Sequence, residues 1–211
     1  MIHRTALAAL SLAALSLLAQ PAFAGGCTGV SIGNASTDDV KLGGADADGC
    51  VVSTQNPQQG GGNTSGFSSV FTGNAWSVLA GFDQSGVQTM GTGALGGANF
   101  VVSFTKDATN KAGTWSITAD KNVTMDLVFA EHGANRSGSF FFDNEALVKT
   151  EASTGTWKLE WLNNGGSVPT YSNLVVFARD VTISAVPEPE TYALMLAGLV
   201  AVGFIARRRA A

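Results

Sequence analysis

Gly155-Thr156-Trp157-Lys158-Leu159-Glu160-Trp161-Leu162 places Trp157, Leu159 and Trp161 on one parity and Lys158 and Glu160 on the other. A period of two marks an extended strand with one face in a core and one in water. Leu174 to Ile183 alternates differently. Val175, Phe177, Arg179, Val181 and Ile183 share one parity, and Leu174, Val176, Ala178, Asp180 and Thr182 the other. Its first half is apolar on both, which suits a central strand.

Outward from these two segments the same grammar recurs. Val30–Ile32, Cys50–Ser53, Ala75–Phe82, Ala98–Thr105, Thr114–Ala119, Thr124–Ala130, Ser139–Phe142, Gly155–Leu162 and Asn173–Ser184 are rich in Val, Thr, Phe and Trp. Gly, Asn, Asp and Ser bound them, and amphipathic helical periodicity is nearly absent. The expected fold is all-β, a β-sandwich of jelly-roll or lectin-like kind over residues 25–185. Gln55 to Gly66 reads as a mobile loop, and Asn163 to Pro169 as a turn joining two strong strands. Gly113-Thr114-Trp115 recurs as Gly155-Thr156-Trp157. A glycine turn followed by an aromatic strand entry explains the repeat; a duplicated ligand-stacking motif is the functional alternative.

The amino terminus has the plan of a secretory signal over residues 1–24. Arg4 supplies a positive start, Ala6 to Ala19 an apolar run, and Ala22-Phe23-Ala24 a small-x-small site for signal peptidase, with cleavage after Ala24. At 14 residues the run is short of the roughly 20 that a membrane span needs. The carboxyl end has three parts in order: Val186-Pro187-Glu188-Pro189, an apolar segment from Thr191 to Ala206, and Arg207-Arg208-Arg209. Pro187 and Pro189 make a stiff, extended, acidic strap. The apolar segment, a helix of about 24 Å, is short against a hydrocarbon core of about 30 Å. The arginines hold its end on the cytoplasmic side, which leaves the rest of the chain outside.

This tail, over 186–211, resembles the PEP-CTERM sorting signal of Gram-negative bacteria. The resemblance implies that an exosortase, an integral-membrane enzyme, recognises Val186, Pro187, Glu188 and Pro189, and that a transmembrane helix over 191–206 holds the precursor at the inner membrane. It implies delivery to the cell surface or to the exopolysaccharide matrix of a biofilm. The run from Trp157 through Asn163-Asn164-Gly165-Gly166 to Asn173-Leu174-Val175 is similar to the last hairpin of many ectodomains in that family, as is Trp76-Ser77-Val78-Leu79.

Between the two ends, eight Lys and Arg stand against fourteen Asp and Glu, a net charge of −6. Such a domain repels nucleic acid and anionic lipid. Of 26 glycines, 24 fall here, as tight turns between strands require. Cys27 and Cys50 are an even pair in an exported chain and are expected to form one disulfide. It closes a loop worth roughly 3 kcal/mol by chain entropy.

Catalytic signatures are thin. Gly29-Val30-Ser31-Ile32-Gly33 fits G-x-S-x-G, but a nucleophile elbow needs a helix after the serine and Asn34 to Asp38 opens none. His132 is the one histidine after residue 24, too few for a His-rich zinc site, and its reading is a loop residue beside Glu131. Asp46-Ala47-Asp48-Gly49 begins like a calcium loop, yet Pro57 stands where its closing glutamate belongs. Glu131, Glu145 and Glu160 are available for glycoside hydrolysis, with no spacing that selects a pair. The sequons at Asn34, Asn63, Asn122 and Asn135 are read as turn residues. The expectation is a non-enzymatic exported protein of cell surface or matrix, with no cofactor or metal. Its partners are signal peptidase, exosortase and exopolysaccharide. One alternative is a carbohydrate-binding module that stacks sugars on Trp76, Trp115, Trp157 and Trp161; another is a polysaccharide hydrolase.

Overall fold

The computed structural model describes residues 25–184 and 195–199. Its strands are β1 (Thr28–Gly29), β2 (Lys41–Leu42), β3 (Ala45–Asp46), β4 (Gly49–Ser53), β5 (Ser77–Phe82), β6 (Gln88–Met90) and β7 (Ala94–Leu95). They continue with β8 (Ala98–Lys106), β9 (Ala112–Ala119), β10 (Val123–Gly133), β11 (Arg136–Leu147), β12 (Ala152–Lys158) and β13 (Asn173–Ile183). Seven form one sheet in the order β1-β4-β11-β10-β13-β5-β6, and four a second in the order β12-β9-β8-β7. The β2–β3 hairpin lies along the outer edge of β12, where Val40 bridges Trp157 and the Gly43 amide donates to Thr154 O at 2.9 Å.

Alternation decides which residues meet between the sheets. Along β10, Val123, Met125, Leu127 and Phe129 face inward with Phe140 and Phe142 of β11 and Leu174, Val176 and Ala178 of β13. The four-stranded sheet answers with Phe100, Val102, Trp115, Ile117 and Trp157. Trp115 and Phe129 rings lie 4.9 Å apart, and Phe104 stacks on Trp157 at 5.1 Å. As its two-sided apolar pattern predicts, β13 is central, between β10 and β5.

The opposite face of the seven-stranded sheet is covered too. Val51, Val128, Ala130, Val175 and Phe177 form a second core with Phe67 and Phe71, and Trp76 packs on its rim. Phe67 meets Phe177 at 5.2 Å and Phe71 stacks on Phe141 at 5.0 Å. The covering segment begins in Gln55 to Gly66, which contains a single 3-10 turn at Gln59–Gly61. Arg179 fastens it from below. Its Nε donates to Asp126 Oδ2 at 2.9 Å, its Nη1 to Phe71 O at 3.1 Å, and its guanidinium lies 4.1 Å from the Trp76 ring.

Three expectations need correcting. Val30–Ile32 is not a strand: the pairing ends at Gly29, and Ser31 turns the chain with φ of 52°. The strand at Gly155 ends at Lys158, after which the chain leaves the sheet and pairs singly, Leu159 N with Lys111 O at 2.8 Å and Leu162 N with Ser31 O at 2.9 Å. Nor do β12 and β13 form a hairpin, because they belong to different sheets. The turn between them is as read, with Asn163 Oδ1 accepting from Gly165 N at 2.8 Å and Ser167 N at 3.1 Å. The signal segment 1–24 with Ala24, Val186 to Pro189 and Arg207 to Arg209 lie outside the described residues. Of the apolar segment 191–206, only 195–199 are described; they are helical and exposed. Among the described residues no helix is long and apolar enough to cross a membrane.

Candidate functional site

The repeated Gly-Thr-Trp is one paired structure. β12 runs antiparallel to β9 so that Gly155 faces Trp115, Thr156 faces Thr114, and Trp157 faces Gly113. Each indole crosses the glycine of the other repeat and donates beyond it. Trp115 Nε1 reaches Lys41 O at 3.0 Å, and Trp157 Nε1 reaches Thr105 O at 3.0 Å. A Cβ at either glycine would sit 2.6 Å from the crossing indole nitrogen, so neither position admits a side chain. Buried indoles with their N–H groups paired are packing elements with a satisfied polar end.

That result corrects the stacking-platform reading. Trp115, Trp157 and Trp161 are 2 %, 1 % and 0 % exposed, and no sugar can lie on an indole inside a core. Trp76 is half-buried and its ring is taken by Arg179.

The same strands present a different surface outward. Ser103 and Thr105 of β8, Thr114 and Ser116 of β9, and Thr154 and Thr156 of β12 alternate with the buried residues. The register aligns them in rows: Ser103–Ser116–Thr154 and Thr105–Thr114–Thr156. Val101, Thr118 and Ala152 complete a third row. A groove of about 540 Å³ lies over the two hydroxyl rows, with Gly155 and an edge of Trp115 also in its lining, and is closed on one side by Lys41 and Gly44 of the β2–β3 hairpin. Lys41 is ion-paired with Asp46 inside that hairpin. Hydroxyl bonding on this face is confined, among the described residues, to Thr105 with Thr114, whose oxygens lie 2.7 Å apart, and Thr118 with Val101 O at 3.5 Å. Sequence reasoning missed the groove. Its signal was serine and threonine at alternate positions of two segments read as strands, Ala98–Thr105 and Thr114–Ala119, with Thr156 in a third; Thr154 falls one residue before the start read for that strand.

The titratable groups lie elsewhere. Lys158 Nζ is 3.1 Å from Asp39, and 3.6 Å from both Asp38 and Glu160. Burial pushes the Asp39 carboxyl up to about 6, against the pull of Lys158. Glu131 is fully buried between the sheets, and neither carboxyl oxygen has a hydrogen-bond partner among the described residues. Burial, and then the charge of Asp39, hold its carboxyl well above the usual carboxylate range. Glu145 is raised by burial and by Asp48. The three glutamates therefore occupy three settings: the core, an ion-pair cluster, and β11 opposite Met125.

Glu131 has a measurable signature. Its folded-state pKa lies above its ordinary value of 4.5, so the folded state keeps a proton that the unfolded chain releases. The stability tied to that proton is complete below pH 4.5 and is lost as pH rises, by at most about 1.4 kcal/mol per pH unit. Glu131→Gln removes this dependence. Urea unfolding of the variant at about pH 5 and about pH 8 is expected to show an advantage over the parent that grows with pH. A constant difference contradicts the assignment.

His132 is not a loop residue. It lies in β10 and is buried, with Nδ1 2.7 Å from Ser137 Oγ, which donates to Gln55 O at 2.6 Å. The pair ties the covering segment to the sheet. Burial lowers the imidazole's pKa, disfavouring its charged form. Ser31 has the positive φ of an elbow serine, but its Oγ takes Arg136 Nε at 3.4 Å, and a turn and the 3-10 turn Thr37–Asp39 follow it. The calcium reading dissolves: Asp46 pairs with Lys41, and Asp48 Oδ2 accepts from Asp143 N at 2.8 Å. Among the described residues no group of three or more His, Cys, Asp or Glu is placed to hold a metal ion. Cys27 and Cys50 are bonded to each other, with Cα atoms 4.7 Å apart, joining the first described residues to β4.

Comparison with known protein families finds the PEP-CTERM protein-sorting motif at residues 185–209. The chain thus carries a C-terminal sorting signal of exported proteins, a kind that is generally an exosortase target. No curated protein and no solved structure matches the chain.

Proposed function

We propose that this chain is a non-catalytic component of the cell surface or exopolysaccharide matrix. A signal peptide over 1–24 exports it, and the tail helix over 191–206 holds the precursor in the inner membrane. Exosortase then acts at the Pro187-Glu188-Pro189 strap and passes the β domain outward. The sorting motif at 185–209 carries this reading. The acidic surface, the disulfide and the doubly covered seven-stranded sheet suit a durable extracellular domain. A second reading, a carbohydrate-binding module, is favoured by the hydroxyl-lined groove rather than by the tryptophans.

Deleting Val186 to Glu190 tests the main reading. The tagged full chain, followed by fractionation in its native host, is expected to lose surface delivery and to accumulate with the inner membrane. Unchanged delivery to the surface sinks the sorting claim.

A further inference from the structure

We propose that the outer face of the four-stranded sheet binds a neutral, extended polysaccharide, laid across the strands against the wall made by the β2–β3 hairpin. The inference rests on the export reading only in that an exported domain meets such polymers.

Ligand chemistry follows from the lining. The two rows over which the groove lies contain six side chains, all serine or threonine. A hydroxyl both donates and accepts, so this surface can match a polymer whose own groups are hydroxyls in either sense. The one cation at the wall, Lys41, is already neutralised by Asp46. A polyanion, nucleic acid included, finds no free countercharge in the groove, and the domain's net charge of −6 repels it. An extended peptide pairs with a strand edge, whereas this groove lies over a face.

Shape points the same way. From β8 across β9 and β12 to β2 there are three inter-strand steps of about 4.8 Å, so the path is roughly 14 Å long, enough for several sugar rings in a row. Short side chains let a chain lie close to the sheet. Gly155 keeps the same strand free of a side chain on its inner face, where Trp115 crosses, while Thr154 and Thr156 on either side of it face the groove.

Affinity electrophoresis of the full chain tests the proposal, in a detergent without a sugar headgroup. The gels contain dextran, amylose, laminarin or hydroxyethyl cellulose, with alginate and heparin as charged comparators. At least one neutral polysaccharide is expected to retard the parent. Ser116→Arg, at the centre of the grid, and Thr156→Lys, on its exposed row, are each expected to weaken that retardation at least about tenfold in apparent Kd. Their thermal midpoints should stay near the parent's; if Ser116→Arg does not fold, the exposed Thr156→Lys carries the comparison. Retardation by no neutral polymer, by charged polymers alone, or equally in parent and variants overturns the proposal. So does a parent dimer that both variants abolish, since the face is then a self-association surface. Failure here leaves the localisation result standing, and failed sorting leaves retardation standing.

Discussion

Gly155→Ala is expected to cost about 3 kcal/mol or more and to lower the urea midpoint accordingly, although it adds a single methyl group. That methyl points at the Trp115 indole nitrogen, 2.6 Å away, and still more closely at Lys41 O, a backbone atom of β2. A flexible side chain can swing aside; a carbonyl held by Trp115 and the β2–β3 hairpin moves only if the hairpin lifts from β12. Two consequences separate this mechanism from generic overpacking. Trp115→Phe in the Gly155→Ala background should recover little, because the backbone collision persists. The alanine should also disturb the groove, whose wall is the displaced hairpin. Gly113→Ala should behave alike, for there the blocked atoms are Trp157 Nε1 and Thr105 O. If Gly155→Ala unfolds with the parent's midpoint, the reciprocal crossing of the two repeats is not what holds these strands.

The repeat also shows what was legible in the sequence. Parity was: Trp157, Leu159 and Trp161 are all buried, and Leu174 to Ala178 are buried on both faces. Alternation is a local property, imposed by the backbone, and it survives any tertiary arrangement. Partner choice was not. Asn163 to Ser167 makes the turn its residues demand, yet the strands on either side join different sheets. Turn chemistry fixes a reversal of a few residues, while the chain from Leu159 onward donates single hydrogen bonds to the carbonyls of Lys111 and Ser31, far away in sequence. Burial depth was equally hidden. Four tryptophans in a glycine-rich domain look like sugar platforms or like core, and for Trp115 and Trp157 it is Gly155 and Gly113, each opposite an indole, that decide for core. The groove was missed for a related reason. Serine and threonine are ordinary on an outward strand face, and what distinguishes them here is their register across three strands. The tail, by contrast, is recognised by order along the chain, which needs no fold.

Removing the Asp126 carboxylate, by Asp126→Ala, is expected to destabilise the domain by about 3–5 kcal/mol, the largest effect of any polar change considered. The loss comes from what stays behind: a guanidinium only 6 % exposed, under Phe71 and Trp76, without its countercharge. Among the described residues Asp180, 3.5 Å from Nε, is the other acid within ion-pair reach, and at 43 % exposure it is screened by water and compensates little. Arg179→Met should cost less than Asp126→Ala, since methionine fills the space and the Asp126 carboxylate, itself only 9 % exposed, still accepts from Asn144 N at 3.1 Å. The double variant Arg179→Met with Asp126→Leu should regain most of the stability lost by Asp126→Ala, because a buried pair replaced by apolar groups is often neutral or better. The covering segment, however, loses its bonds from Arg179 to Phe71 O and Asn74 O in both Arg179 variants. Hydrogen exchange at residues 67–76 should therefore quicken in the double variant even where its unfolding midpoint has recovered. A recovered midpoint with unchanged exchange would mean that Phe67 and Phe71 alone hold the segment down, and that Arg179 serves stability without fastening the cover.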